Sequence, residues 1–517
     1  MEQAPEARIK ALLSDRTLCK VASESKNKGQ ATSLNNEDPV AQLVTKIATA
    51  CLWLGWCTQE HRYCWTSESC WLPTRLLDVR DLNGASSPCL VNGSSLGPCE
   101  RYAALSHRWG SLKPLILTAA DVNDFESGIR WQDIPKTFQD AMIITKACGL
   151  RYIWIDSLCI LQDSDDDWKQ ESMTMNLVYR NSFFTISALS ASDSSEGCFF
   201  ERGEAWGSTR PWEALCESPL WDRGWIFQER MLSPRLLHFG KRQALFECNN
   251  GVYDESDYQT RLAKLRPYWL SVELRPLNLW RDFVMQYSSR VLTKPEDRAI
   301  AISGVAMELA SRWPEECGEY CAGLWRRDLL ENLLWAEQNV AATTQTTQRS
   351  PSWSWTSIDA PIYWGPGQSG VPVAEITRVE FNPQISPYGS IDRGLIHLKA
   401  FLWKDFSSLA ENSASILRET CILDTSRGIH HVWQRYYIPL LKIRNLGYPT
   451  AEGPALDKVM GLVVGWLADV HCFSRLGIFR LDTSVKFPED PLSKASVPLS
   501  GRLVASSPFT MFALTIC

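Results

Sequence analysis

Between residues 102 and 250, short apolar runs alternate with segments whose apolar residues recur at helical spacing. Ala103-Ala-Leu105, Tyr152 to Ile155, Phe183 to Leu189 and Leu236 to Phe239 read as buried strands, and Tyr152 to Ile155 is a continuous apolar run. This is the pattern of strands covered on both faces. Ile134, Phe138, Ala141, Met142 and Thr145 fall on one face of a predicted helix that Gly149 ends. Asp165 to Asp167 open a second helix, where carboxylates complement the helix dipole, and Trp168, Met175, Val178 and Tyr179 form its inner face. Trp221 to Leu232 predicts a third helix, stopped by Ser233-Pro234, and Ala244 to Cys248 is expected to pair beside the fourth strand. Repeated βα units predict an α/β fold built on a doubly wound parallel sheet with right-handed crossovers.

The flanks differ. Residues 1–40 are polar around Ser23-Glu-Ser-Lys-Asn-Lys-Gly-Gln and predict a flexible N-terminal arm. Residues 41–100 form a lead-in segment with a helical pattern, then a strand at Leu72-Pro-Thr-Arg-Leu-Leu-Asp-Val79. After the 101–250 core, residues 251–348 read as a helical region in which Thr293-Lys-Pro-Glu296 has the form of a capping box. Residues 349–517 read as a β-rich C-terminal domain, with strands at Gly394 to Leu402, Met460 to Trp466 and Leu476 to Leu481. No internal repeat of solenoid or propeller period is present.

Composition narrows the class. An apolar content of 45% and a charged content of 22% are those of a globular protein. The net charge of −6 gives no electrostatic basis for nucleic-acid binding. Seventeen cysteines, an odd number and too sparse for a disulfide scaffold, predict reduced thiols. The N-terminus lacks a secretory pattern, and no apolar run reaches the ~18 residues of a spanning helix. A cytoplasmic protein without a membrane span is expected. The 23 tryptophans point mainly to core packing.

Three segments join apolar runs to functional side chains: Tyr102-Ala-Ala-Leu-Ser-His-Arg-Trp-Gly110, Tyr152-Ile-Trp-Ile-Asp-Ser-Leu-Cys-Ile-Leu-Gln162 and Asp222-Arg-Gly-Trp-Ile-Phe-Gln-Glu-Arg-Met-Leu-Ser233. In this order and spacing the chain resembles the heterokaryon-incompatibility (HET) domain of filamentous fungi. The spacing of Trp168, Glu171, Met175, Val178-Tyr179 and Thr185-Ile186 agrees. So do Leu72-Pro-Thr-Arg75, Tyr287-Ser-Ser-Arg290, Asp297-Arg298, Tyr320-Cys-Ala-Gly-Leu-Trp325 and Pro351-Ser-Trp-Ser-Trp355. The resemblance runs from about residue 50 to 360, and more loosely beyond. His107 departs from it, since the family more often has Tyr there, and no Walker A loop accompanies the domain.

The HET domain is in turn similar to the TIR domain, which implies a TIR/flavodoxin-like sheet for residues 101–250. TIR domains carry Trp-Cys-x-x-Glu on the third helix, and some hydrolyse NAD with that Glu. Trp225-Ile-Phe-Gln-Glu229 has the same Trp-to-Glu spacing, with Ile226 in place of Cys. The resemblance implies a role in non-self recognition and regulated cell death, in programmed cell death of the innate-immunity kind, with NAD as substrate and Glu229 as catalytic carboxylate. Two other classes stand beside it: a non-catalytic signalling module that acts by self-association or through a protein partner, and a fungal secondary-metabolism enzyme that reuses the fold.

Ligands of doubly wound sheets sit beyond the carboxyl ends of the strands. Ser106, His107, Arg108 and Trp109 follow the first strand, Asp156 follows the second, and Arg223, Trp225, Gln228 and Glu229 lie on the third helix. A carboxylate beside the ribose stabilises an oxocarbenium-like transition state. Arg108 or Arg223 would grip a pyrophosphate, and Trp109 or Trp225 would stack on a base. The competing expectation is structural: Glu229 and Arg223 as an ion pair, and Asp156 as the cap of its own loop.

Three further patterns bear on chemistry. Cys159 with His107 would make a nucleophilic dyad, but Cys159 lies in an apolar run. Cys57, His61 and Cys64, with Cys70 six residues on, offer soft zinc ligands along one helix face, a face that packed core also explains. Gly365-Pro-Gly-Gln-Ser-Gly370 precedes a strand-like run at Val371 to Val379, so no helix N-terminus faces a phosphate there.

Overall fold

The computed structural model describes residues 39–61, 64, 70–79, 87–97, 99–110, 115–200, 218–241, 243–255, 275–338, 350–365, 370–381, 386–404, 417–423, 435–443, 457–467, 472–483, 497–498 and 511–517. The chain divides into two compact units, Met1–Val272 and Glu273–Cys517. All but the last two residues of the expected N-terminal arm lie outside the described residues.

The first unit contains α1 (Pro39–Glu60), β1 (Arg75–Asp78), β2 (Cys89–Asn92), β3 (Tyr102–Ser106), α2 (Val122–Ser127), α3 (Lys136–Ala147), β4 (Tyr152–Trp154), α4 (Asp156–Cys159), α5 (Asp165–Asn181), β5 (Phe184–Ser187), α6 (Gly224–Leu232), β6 (Arg235–Phe239), β7 (Ala244–Cys248) and β8 (Gly251–Asp254). Its mixed sheet has the order β2-β1-β4-β3-β5-β6-β7-β8. The four expected strands, β4, β3, β5 and β6, are parallel to one another. Antiparallel pairs extend both edges, β1 with β2 beside β4, and β7 with β8 beside β6. The pairing expected for Ala244 to Cys248 is present.

From β3 the chain crosses through α3 to β4 on one side, then through α5 back to β5 on the other. Right-handed crossovers in opposite directions place α3 and α5 on opposite faces. Side chains alternate along β3, so Tyr102 and Ser106 share a face. That face is covered by α5: the Tyr102 hydroxyl donates to the Val178 carbonyl at 2.7 Å and the Tyr179 hydroxyl to the Leu105 carbonyl at 3.3 Å.

The helix ends follow local chemistry. Ser164 caps α5 by accepting from the Asp167 N–H at 3.2 Å, with Asp165, Asp166 and Asp167 in the first turn. Asp167 is also gripped by Arg75 at 2.7 and 3.1 Å, which ties α5 to β1. Gly149 follows α3 with φ +81°, and the Leu150 N–H returns to the Thr145 carbonyl. Helix α6 begins at Gly224, three residues later than expected, and ends at the expected Ser233, whose hydroxyl donates to the Glu229 carbonyl at 2.6 Å.

Among the described residues the second unit holds helices Pro276–Ser288 and Ile300–Arg312, short helical turns at Pro314–Cys317 and Leu329–Asn332, 3-10 turns at Pro295–Arg298 and Trp355–Ser357, and then mostly strands. Its nine-stranded sheet runs Val371–Pro372, Arg435–Ile443, Asp457–Leu467, Cys472–Thr483, Met511–Ile516, Gly394–Phe401 and Glu375–Phe381, with Leu417–Leu423 and Val497–Pro498 attached. The predicted β-rich character is therefore present, and the run expected after Gly370 divides into two strands, Val371–Pro372 and Glu375–Phe381, at opposite ends of the sheet order. The capping box does not form. Lys294, not Thr293, precedes a 3-10 turn at Pro295–Arg298 and makes no side-chain cap. Pro295 fixes the first position of that turn, which pulls Glu296 inside it.

Most of the described tryptophans of this unit are buried in its core. Indole N–H groups of Trp280 and Trp355 both donate to the Gly323 carbonyl, at 3.0 and 2.7 Å, and Trp353 donates to the Gly394 carbonyl at 3.1 Å. Gly323 has φ +93°, and a Cβ there would lie 2.7 Å from the Trp355 Nε1. Gly323→Ala should cost about 1–3 kcal/mol. Urea denaturation measures it, and an unchanged midpoint would contradict the packing described.

Candidate functional site

Strand order reverses direction between β3 and β5, and the crevice beyond their carboxyl ends is where such sheets place chemistry. Six residues foreseen in the sequence meet there. Ser106 ends β3, and His107 and Trp109 follow it. The Trp109 indole donates to Asp156 Oδ2 at 2.8 Å, and the Asp156 Oδ1 lies 3.7 Å from the His107 Nδ1. Arg223, at the N-terminus of α6, donates to the His107 carbonyl at 2.5 Å. Glu229, one and a half turns along α6, accepts from the Ser106 hydroxyl and lies beside the Tyr179 hydroxyl, which donates to the Leu105 carbonyl.

Glu229 is 5% exposed, and its Oε2 is buried without a hydrogen-bond partner. Burial pushes its pKa up to about 7, opposed by the Ser106 hydrogen bond and the Arg223 charge and reinforced by Asp156. The side chain therefore holds or releases a proton near neutrality. His107 is buried with its edge against Phe138, ring centroids 4.9 Å apart, and neither ring nitrogen has a hydrogen-bond partner. Burial lowers its pKa, Asp156 opposes, and Arg223 adds to the lowering, so the imidazole is held neutral. Buried polar atoms left unpaired are uncommon, and they concentrate where a ligand, water or chemical step supplies the partner.

The other foreseen residues stand apart. Arg108 is exposed, Trp225 is half-buried, and Gln228 is buried within the packing of α6. Tyr179, on α5, was not singled out as a site residue; its only sequence signal was the Val178-Tyr179 spacing. The expected Arg223–Glu229 ion pair is absent, because the Arg223 guanidinium is turned to the His107 carbonyl and acts on Glu229 through space. The ion pair that anchors α6 belongs instead to the next residue. Arg230 grips Glu247 of β7 at 2.6 and 2.8 Å, and His238 of β6 lies 3.1 Å from the same carboxylate. Asp156 is tied locally at the start of α4, where its Oδ1 accepts the Ser157 N–H at 2.7 Å, while its Oδ2 accepts from Trp109. Cys159 is buried with its thiol pushed up to about 12, so no thiolate is available for a dyad with His107.

Of the four sulfur and imidazole ligands proposed near the N-terminus, Cys70 is removed by a disulfide to Cys99. This pair is also the exception to the expected reduced thiols, since the other cysteines whose side chains are described form no disulfide. The helix face does not form as expected either, since α1 ends at Glu60 and both His61 and Cys64 lie beyond it. Cys57, His61 and Cys64 nonetheless converge, and Cys248 joins them. A groove of about 680 Å³ lies elsewhere in this unit, where α1 and the end of α3 meet Arg101 and Phe183 at the amino ends of β3 and β5.

No described helix is long and apolar enough to cross a membrane. No curated protein and no solved structure matches the chain. The matched family region is narrower than the resemblance read from the sequence: it includes Ser106, His107, Trp109, Asp156 and Tyr179 but stops short of the segment that bears Arg223 and Glu229. Residues 102–207, at the centre of the first unit, match the family described as Heterokaryon incompatibility protein (HET).

Proposed function

We propose that this chain is an effector of fungal non-self recognition and regulated cell death, and that Glu229 is the carboxylate of an NAD-cleaving site. One observation carries the reading: Ser106, Tyr179 and Arg223, from three separate elements, converge on a buried carboxylate with one oxygen unpaired, beyond the carboxyl ends of parallel strands. The strand order β4-β3-β5-β6 and the Trp225-to-Glu229 spacing support a TIR/flavodoxin-like relationship. In the chemistry proposed, the ionised Glu229 faces the ribose as the nicotinamide bond breaks and stabilises the positive charge that develops there. Cleavage should therefore rise with pH through about 7, the pKa of this group.

The conformation described is closed. Glu229 Oε2 is buried, and Arg223 is committed to a backbone carbonyl, so substrate entry requires α6 or the loop bearing Trp109 to move. That closure is the observation favouring the second reading, a non-catalytic module that acts by self-association. The two separate in cells. Overexpression in a fungal host should deplete NAD and be toxic, and Glu229→Gln should restore both NAD and growth. Full toxicity from a well-folded Glu229→Gln protein would favour the self-association reading instead.

A further inference from the structure

We propose that Cys57, His61, Cys64 and Cys248 form a zinc site that fastens α1 to the β7–β8 edge of the sheet. Cys57 lies in the last turn of α1, His61 directly follows the helix, and Cys64 sits in a short 3-10 turn. Backbone bonds from the His61 N–H to the Cys57 carbonyl at 3.2 Å and from the Cys64 N–H to the His61 carbonyl at 2.9 Å fold the three onto one spot. Cys248, the last residue of β7 and 187 residues beyond His61, meets them there.

The geometry suits one ion. Taking one ligand atom from each residue, all four atoms lie within 4.8 Å of one another, and all four residues are buried. A tetrahedral zinc with bonds of about 2.3 Å to sulfur and 2.0 Å to nitrogen sets its ligand atoms roughly 3.6–3.8 Å apart. The His61 Nδ1 already lies 3.4 Å from the Cys248 Sγ. Closing the remaining distances takes side-chain movements of about 1 Å or less.

The surroundings are those of a ligand set. The Asn250 N–H donates to the Cys248 Sγ at 3.4 Å, a bond that favours the thiolate. Trp56 meets the His61 ring edge-on at 4.2 Å and Tyr253 stacks on it at 5.6 Å, which fixes the ring with Nδ1 toward Cys248. The Cys64 carbonyl accepts from Arg235 at 2.6 Å, so the turn is held from β6 as well. A disulfide cannot account for three thiols and an imidazole together, because any pairing leaves a thiol over. Three thiolates with one imidazole, tetrahedral and buried, select zinc, and with no open position the metal is structural rather than catalytic. The site lies at the β7–β8 edge of the sheet, three strands from the central β3, and does not depend on the function proposed for Glu229.

The test is metal content. Full-length protein from zinc-supplemented cells should carry about one zinc per chain by elemental analysis. Cys248→Ser and Cys57→Ser should lose it, while Cys159→Ser, which removes a buried thiol outside the cluster, should keep it. Should the cluster variants fail to fold, cobalt exchanged into the wild-type protein should show thiolate charge-transfer and tetrahedral d–d absorption. Wild-type protein that holds only traces of metal after reduction and zinc reconstitution would overturn the proposal. So would Cys248→Ser protein that retains its zinc, or a cobalt spectrum without thiolate bands.

Discussion

Glu229→Gln is expected to make the folded protein more stable above pH 7, and to leave it unchanged below about pH 4.5. The Glu229 pKa is about 7 in the folded protein against an ordinary 4.5. A carboxyl with a raised pKa contributes its stability fully below the unfolded value and loses it as pH rises through the folded one. The loss begins near pH 4.5 and is complete above pH 7, with a size on the order of 3 kcal/mol. Gln cannot ionise, so it carries no such loss, and the Ser106 hydroxyl retains a partner. Denaturant melts of both proteins from pH 4 to 8 give the comparison. A Glu229→Gln protein that is less stable at pH 8 would show that the ionised carboxylate is held by favourable contacts, as an ion-pair role requires.

Glu247→Ala should do the opposite and cost about 3–5 kcal/mol, because it strands the Arg230 guanidinium in the core without its partner. Arg230 and Glu247 are both almost wholly buried, and their two hydrogen bonds join α6 to β7. Arg230 also lies over the Trp221 ring at 4.5 Å, so it cannot swing to solvent without losing that packing. Glu247→Ala combined with Arg230→Met should recover much of the loss, since the pair would then be replaced by apolar contact. Urea midpoints for the two single variants and the double variant form the cycle. A single-variant loss below about 1 kcal/mol would mean the pair behaves like an exposed one.

Much of the first unit was legible because its central strands are buried on both faces and therefore written as short, mostly apolar runs. Tyr152 to Trp154 and Phe184 to Ser187 needed no long-range information. Strands β2 and β8 did, since four residues give no countable period and their pairing depends on β1 and β7. The site residues were legible for a local reason: Ser106 to Trp109, Asp156 and Arg223 to Glu229 each adjoin a strand or helix end. What the sequence could not show was how they face one another. Arg223 was expected to meet Glu229, yet the backbone placed it against the His107 carbonyl. Cys248 was invisible as a partner of His61 because only the sheet brings β7 to the end of α1. Cys70 looked the better ligand by spacing, and its bond to Cys99 could not be deduced from spacing at all.

The most direct test of the central claim is nicotinamide release from NAD by the purified full-length protein. The wild-type protein should release nicotinamide, faster as pH rises through about 7, and Glu229→Gln, verified as folded, should be slower by roughly 10²–10³-fold or more. Equal release by the two proteins, or none from folded wild-type protein across that pH range, would contradict Glu229 as the catalytic carboxylate.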